Sequence, residues 1–191
     1  MKTVIRKLTA VLLAAVMVCL LVPTAAVTAA DAPAALLSGG ETARMEMTGD
    51  KLGLAFRFTL TATGVKIGTD YKVNLSKATV DIGGTAYPLR SVGALVSNDP
   101  TVGLSPAQMN HDNFSPQTKI VNAVYANELT ADGMRFTVRV TNIPVAKSDA
   151  VVYARPFFAY ECDGDYVVVY GDIVSANYDN NINTNDGVFD W

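Results

Sequence analysis

The chain has 191 residues, half of them hydrophobic, with 15 Lys and Arg against 18 Asp and Glu and a single histidine. That length supports one domain with a substantial core. The acidic balance argues against nucleic acid and anionic membrane as partners, because both need clustered Lys and Arg, and one histidine with two cysteines excludes a zinc site built from several of them.

Lys2, Arg6 and Lys7 precede an apolar run from Leu8 to Val22, which Pro23 ends and small residues follow through Ala30. This is the layout of a secretory signal peptide. The run is shorter than the roughly 20 residues a membrane-spanning helix needs. The predicted mature chain begins at Ala30 or Asp31, so 1–30 is read as signal peptide and the protein as secreted. Cys19 follows Val18 within the apolar run and does not make a lipobox. Without Lys2, Arg6 and Lys7 the basic residues fall from 15 to 12, and the net charge becomes about -6. No later segment is apolar enough to span a bilayer. Cys162 is then the one remaining cysteine, which excludes an intramolecular disulfide. Its acidic neighbours Glu161, Asp163 and Asp165 oppose thiolate formation and argue against a nucleophile.

From there the chain reads as strands, with period-2 alternation and little helical periodicity. Thr42–Thr48 and Lys51–Thr63 flank a Gly49-Asp50 turn. In the second, Leu52, Leu54, Phe56, Phe58 and Leu60 share a face, and Ala55, Arg57, Thr59 and Thr61 share the other. Tyr71–Leu75 and Val92–Ser97 are shorter strands. Ala78–Arg90 is a hairpin about Gly83-Gly84, pairing Ile82 with Thr85 and Val80 with Tyr87. Ser97–Gln117, with three prolines and no periodicity, is a long loop with a helical turn expected at Ser105–Met109. Lys119–Ala126 and Met134–Ile143 flank a turn at Leu129–Gly133. Val151–Glu161 and Tyr166–Ile173 form the clearest hairpin, about Asp163-Gly164, placing Phe157 opposite Tyr170 and Phe158 opposite Val169. Asp179–Asp190 is a loose Asn- and Asp-rich tail.

About nine short strands with Gly, Asn and Asp turns predict an all-β fold, an antiparallel β-sandwich of Ig-like kind, with a β-barrel as the alternative. The domain layout is 1–30 signal peptide, 31–178 β-sandwich and 179–191 tail.

Residues 152–172 include Ala154, Arg155, Pro156 and Phe157, the turn Asp163-Gly164, and the ending Tyr170-Gly171-Asp172. This hairpin resembles the closing hairpin of β-sandwich accessory modules from secreted and surface proteins of clostridia-like gut bacteria. The resemblance implies a non-catalytic accessory domain, and no binding residue transfers with it.

His111 lies in the polar loop and reads as solvent-facing, and no Gly-x-Ser-x-Gly elbow supplies a serine nucleophile. Asp179, Asn181 and Asn183 have calcium-loop spacing, but Thr184 stands where a glycine is needed and Asp190 where a glutamate is, so no metal is assigned. Asn74 and Asn113 open Asn-x-Ser sequons, which a bacterial-looking signal makes chance matches. The outer face of the last hairpin gathers Tyr153, Arg155, Phe157, Tyr166 and Tyr170. Left exposed, those rings would stack on sugar rings; covered, they would only pack. The reading is a secreted, non-catalytic β-sandwich module acting at the cell exterior, with a glycan or a cell-surface protein as partner and carbohydrate as the leading ligand class. No cofactor is assigned. The alternatives are a carboxylate-based glycan hydrolase and a protein-interaction or adhesion domain with an unpaired edge strand or apolar patch.

Overall fold

A computed structural model describes residues 34–45, 47–62, 73–74, 78–113, 118–122, 125–126, 128–130 and 133–181. The chain divides between Ala30 and Asp31 into two units, and everything described belongs to the second. The expected signal peptide, the sequon at Asn113 beyond its first residue, and the tail after Asn181 lie outside the described residues.

The fold is an all-β sandwich of two antiparallel sheets, not a closed barrel. Strands β1 (Leu37–Met45), β2 (Lys51–Leu60), β9 (Gly133–Pro144) and β8 (Glu128–Thr130) form one sheet in the order β1-β2-β9-β8. The other follows the order β11 (Asp165–Tyr170), β10 (Val152–Cys162), β5 (Thr85–Ser97) and β4 (Thr79–Ile82), with β6 (Thr118–Asn122) on β5 and β12 (Val174–Ala176) on β10. A short pair, β3 (Val73–Asn74) with β7 (Tyr125–Ala126), forms a two-stranded sheet of its own. Twelve strands are described rather than about nine, because four of them are only two or three residues long.

Alternating side chains fill the space between the sheets. Leu54, Phe56, Phe58, Phe136 and Val138 from one sheet meet Val80, Val92, Ala154, Phe158 and Tyr160 from the other. Phe58 and Phe136 are cross-strand partners with ring centroids 5.7 Å apart. β2 is buried on both faces rather than one. It is the inner strand between β1 and β9, so Ala55 lies between Ala43 and Arg139, and Arg57 between Glu41 and Thr137.

Both predicted hairpins have their expected register. Gly83 and Gly84 take positive φ between Ile82 and Thr85, as do Asp163 (54°) and Gly164 (89°) between Cys162 and Asp165. Two consecutive positive φ values match the right-handed twist of the flanking strands. The segments read separately as 78–90 and 92–97 share one continuous strand, β5, which runs through Pro88 and Ser91. The region after Gln117 differs from expectation. β6 leaves for the second sheet to pair with β5, and Leu129 and Thr130, inside the expected turn 129–133, pair with Met134 and Gly133 at the start of β9, so the chain reverses within that turn. Local alternation could not say which sheet each segment joins, because that depends on partners far away in sequence.

Candidate functional site

The five residues singled out from the sequence share one face of the β10–β11 hairpin. The predicted register holds throughout: Phe157 faces Tyr170, Phe158 faces Val169 and Glu161 faces Tyr166. Phe158, Tyr160 and Val169 point into the sandwich, whereas Tyr153, Phe157, Val168 and Tyr170 belong to a second apolar cluster on the outer face.

An open aromatic platform is not what forms there. The segment 98–113 lies over the face and buries it. Phe157 is 1% exposed and Tyr153 7%, and Val102 and Met109 of the loop close over them and Leu95. The cause is apolar surface. Leu95, Tyr153 and Phe157 would otherwise stand in water, and burying each such side chain is worth about 1.5–3 kcal/mol. Of the five, Tyr166 alone is fully exposed, at 69%.

The cover has its own architecture. A helical turn, α1 (Pro100–Gly103), precedes the expected one at Ser105–Met109, where the Ser105 carbonyl accepts from the Gln108 and Met109 amides, both at 2.9 Å. Asp99 caps it, accepting from the Thr101 amide at 2.9 Å and its hydroxyl at 2.7 Å, and these bonds hold the Asp99 carboxyl below the usual carboxylate range. Proline suits a first helical position because its missing N–H would have no partner there. Gly103 touches the Tyr153 ring so closely that a Cβ would sit 2.2 Å from its atoms. Asn110 folds the rest of the loop, donating to the Ala107 carbonyl and accepting from the Asp112 and Asn113 amides.

Arg155 fastens the cover to the sheet. Its Nη1 donates to the carbonyls of Pro106 (2.7 Å) and Met109 (2.9 Å), and its Nε to that of Gly171 (3.1 Å). The guanidinium lies 4.6 Å from the centre of the Tyr170 ring. His111, expected to face solvent, instead wedges between the two rings. It meets Phe157 edge-on at 4.6 Å, its amide donates to the Tyr170 hydroxyl at 2.9 Å, and its Nδ1 lies 2.6 Å from that same oxygen. Desolvation is the main cause lowering the His111 pKa and raising that of Tyr170, while Asp112 partly opposes it at His111.

The lowered histidine pKa fixes a sign. The unfolded chain takes up a proton near pH 6.5 and the folded chain only at lower pH. Stability is therefore full above about pH 6.5 and is lost as pH falls from there to the folded value. Denaturant midpoints measured at pH 7.5 and about pH 5 should show this loss, and His111→Gln should reduce it. An unchanged pH slope in that variant would contradict the assignment.

A second feature lies where β1 and β12 meet. An open cleft of about 390 Å³ is lined by Thr42, Val151, Ser175, Ala176, Asn177, Asn180 and Asn181. Its rim is tied down, so residues 179–181 are not a loose tail. Arg44 donates to the carbonyls of Tyr178 (2.8 Å) and Asp179 (2.6 Å), with its guanidinium 5.0 Å from the Tyr178 ring centre. The Ser148 carbonyl accepts from the Tyr178 and Asp179 amides, and its hydroxyl donates to the Asp179 carboxylate at 2.9 Å. Asn177 accepts from the Asn180 amide at 2.8 Å. None of the lining side chains is ionisable. The cleft offers hydroxyls and carboxamides, which both donate and accept hydrogen bonds, beside the half-exposed Val151. The sequence reading missed it because its residues come from three separated segments. The Asn-rich composition from Asp179 onward is the available signal, and by itself it reads as a loose tail.

Among the described residues no cluster of His, Cys, Asp and Glu is placed to hold a metal ion, and no helix is long and apolar enough to cross a membrane. Cys162 is a half-buried free thiol at the hairpin turn. Comparison of the chain with protein-family models, with curated proteins and with solved structures returns no match.

Proposed function

We propose that this chain is an exported, non-catalytic β-sandwich module that binds carbohydrate in the cleft between β1 and β12. The observation that carries this reading is the cleft lining. Carboxamide and hydroxyl groups from Asn177, Asn180, Ser175 and Thr42 surround an open depression with Val151 at its edge. A sugar presents hydroxyls that donate and accept in the same way, and C–H faces that suit a small apolar contact. The ties from Arg44 and Ser148 to residues 178–179 preorganise the rim, which lowers the ordering cost of binding.

The signal-like N-terminus supports an extracellular setting, and the resemblance of the last hairpin to accessory modules supports a non-catalytic role. A glycan hydrolase would need two carboxylates about 5–10 Å apart across a bound sugar, and the cleft lining supplies none. The covered hairpin face moves the expected site away from Tyr153 and Phe157, whose rings are already packed.

A glycan-array screen of the secreted protein tests the proposal. Binding is expected, with Asn180→Ala weakening it about tenfold, or roughly 1.4 kcal/mol, at an unchanged melting temperature. Asn180 is the suitable probe because its side chain is exposed. Undiminished binding in Asn180→Ala and Ser175→Ala variants would place the site elsewhere. Release of reducing ends from a bound glycan would establish the hydrolase instead.

A further inference from the structure

We infer that the protein forms a two-fold symmetric dimer by antiparallel pairing of the β11 edge with β11 of a second copy. β11 ends its sheet, with β10 on one side and no strand on the other among the described residues. Edge strands are normally blunted by charge, proline, bulges or shortness. The other edges show this: β1 carries a bulge between Gly39 and Glu41, β4 is four residues long with Asp81 in it, β6 is five residues long with Lys119 in it, and β8 and β12 are three residues long. β11 has none of these over Tyr166-Val167-Val168-Val169-Tyr170, a run of strong strand formers.

The register decides which backbone groups are offered. The two-residue turn makes Cys162 and Asp165 a hydrogen-bonded pair, and the bond from the Gly171 amide to the Pro156 carbonyl (2.9 Å) fixes the same parity at the other end. Residues 165, 167, 169 and 171 therefore bond to β10, and the N–H and C=O groups of Tyr166, Val168 and Tyr170 point outward.

The choice of a second copy rests on self-complementarity. An isologous contact needs a surface that matches itself under two-fold rotation. The run 166–170 reads identically in both directions about Val168. A two-fold axis there sets Tyr166 opposite Tyr170, Val167 opposite Val169 and Val168 opposite its own copy. The outward groups at 166, 168 and 170 then meet one another as hydrogen-bonded pairs. Asp165 falls opposite Gly171, so no two like charges are directly opposed. The exposed Tyr166 and Val167 lose water contact on pairing, and aromatic and β-branched cross-strand pairs add to the backbone bonds.

The test uses the protein secreted from the full chain, with Cys162→Ser as background to exclude a disulfide through the native thiol. Sedimentation velocity should show a reversible dimer as concentration rises to about 100 μM, where an association of micromolar Kd is nearly complete. Val168→Pro should be monomeric yet folded, because the N–H it removes points outward and proline is tolerated there on an edge. The register has its own probe, which holds even where the proline variant fails to fold. The hydrogen-bonded pair at the axis has a Cα separation of about 5.5 Å, within disulfide reach. Val168→Cys should therefore cross-link to a covalent dimer under mild oxidation, and Tyr166→Cys, about two residues from the axis, should not. A wild-type monomer at every concentration overturns the inference. So does a dimer that survives Val168→Pro, or equal cross-linking at 166 and 168. Capture of an unrelated extended peptide by a chain that stays monomeric would show that the edge serves a different partner. The dimer does not depend on the glycan cleft, so loss of one leaves the other standing.

Discussion

Phe157→Ala is expected to destabilise the fold by about 3–5 kcal/mol, as much as Phe158→Ala. The two residues are neighbours on β10 and point to opposite faces, so an open outer face would make the first substitution nearly free. Instead Phe157 is packed among Leu95, Val102, Met109 and Tyr153, with His111 edge-on against its ring. Phe158 is packed in the inter-sheet core with Val92, Ala154 and Tyr160. Removing either ring leaves a cavity that rigid strands cannot close. Urea denaturation of the two variants measures the costs directly. At protein concentrations low enough to keep the chain monomeric, Tyr166→Ala is the control, because that ring is exposed on the same face and its loss should then fall within about 0.5 kcal/mol of zero. A Phe157→Ala cost as small as the control's would mean that the loop 98–113 does not seal the face.

Arg155→Met is the second large effect. It should cost about 1.5–3 kcal/mol in charge-assisted hydrogen bonding and loosen the cover more than the sandwich. One guanidinium serves the carbonyls of Pro106, Met109 and Gly171 at once, and methionine reaches none of them. Arg155→Lys should rescue little, because an ammonium lacks the planar fork that spans three acceptors and lies over Tyr170. Hydrogen exchange gives the spatial readout: amides of 101–111 should lose protection while those of β2 and β9 keep theirs. Uniform loss of protection across both sheets would show that the loop is an inseparable part of the global fold.

The fold class and the two tight hairpins were legible in the sequence because both are local. Period-2 alternation marks a strand whatever it pairs with, and Gly83-Gly84 and Asp163-Gly164 set φ and register within a few residues. The face assignment of Phe157 and Phe158 followed from that register. The apolar stretch Val151–Tyr160 also held a clue to the covered face. Val152, Tyr153 and Ala154, and later Phe157, Phe158, Ala159 and Tyr160, break strict alternation, as a strand buried on both sides does. What covers the outer face was not local. Val102 and Met109 are isolated apolar residues in a loop rich in Pro, Asn and Ser, and only the folded chain brings them onto Tyr153 and Phe157, about 50 residues later. His111 likewise gains its partners Phe157 and Tyr170 across that separation. The sheet membership of β6 and β8 and the cleft from Thr42, Val151 and 175–181 have the same origin. Backbone sterics and turn chemistry act over neighbouring residues, so the order of residues is enough to set which segments are strands and which way their side chains alternate. Which faces stay open is set only in the folded chain, because it depends on where distant apolar side chains find surface to bury.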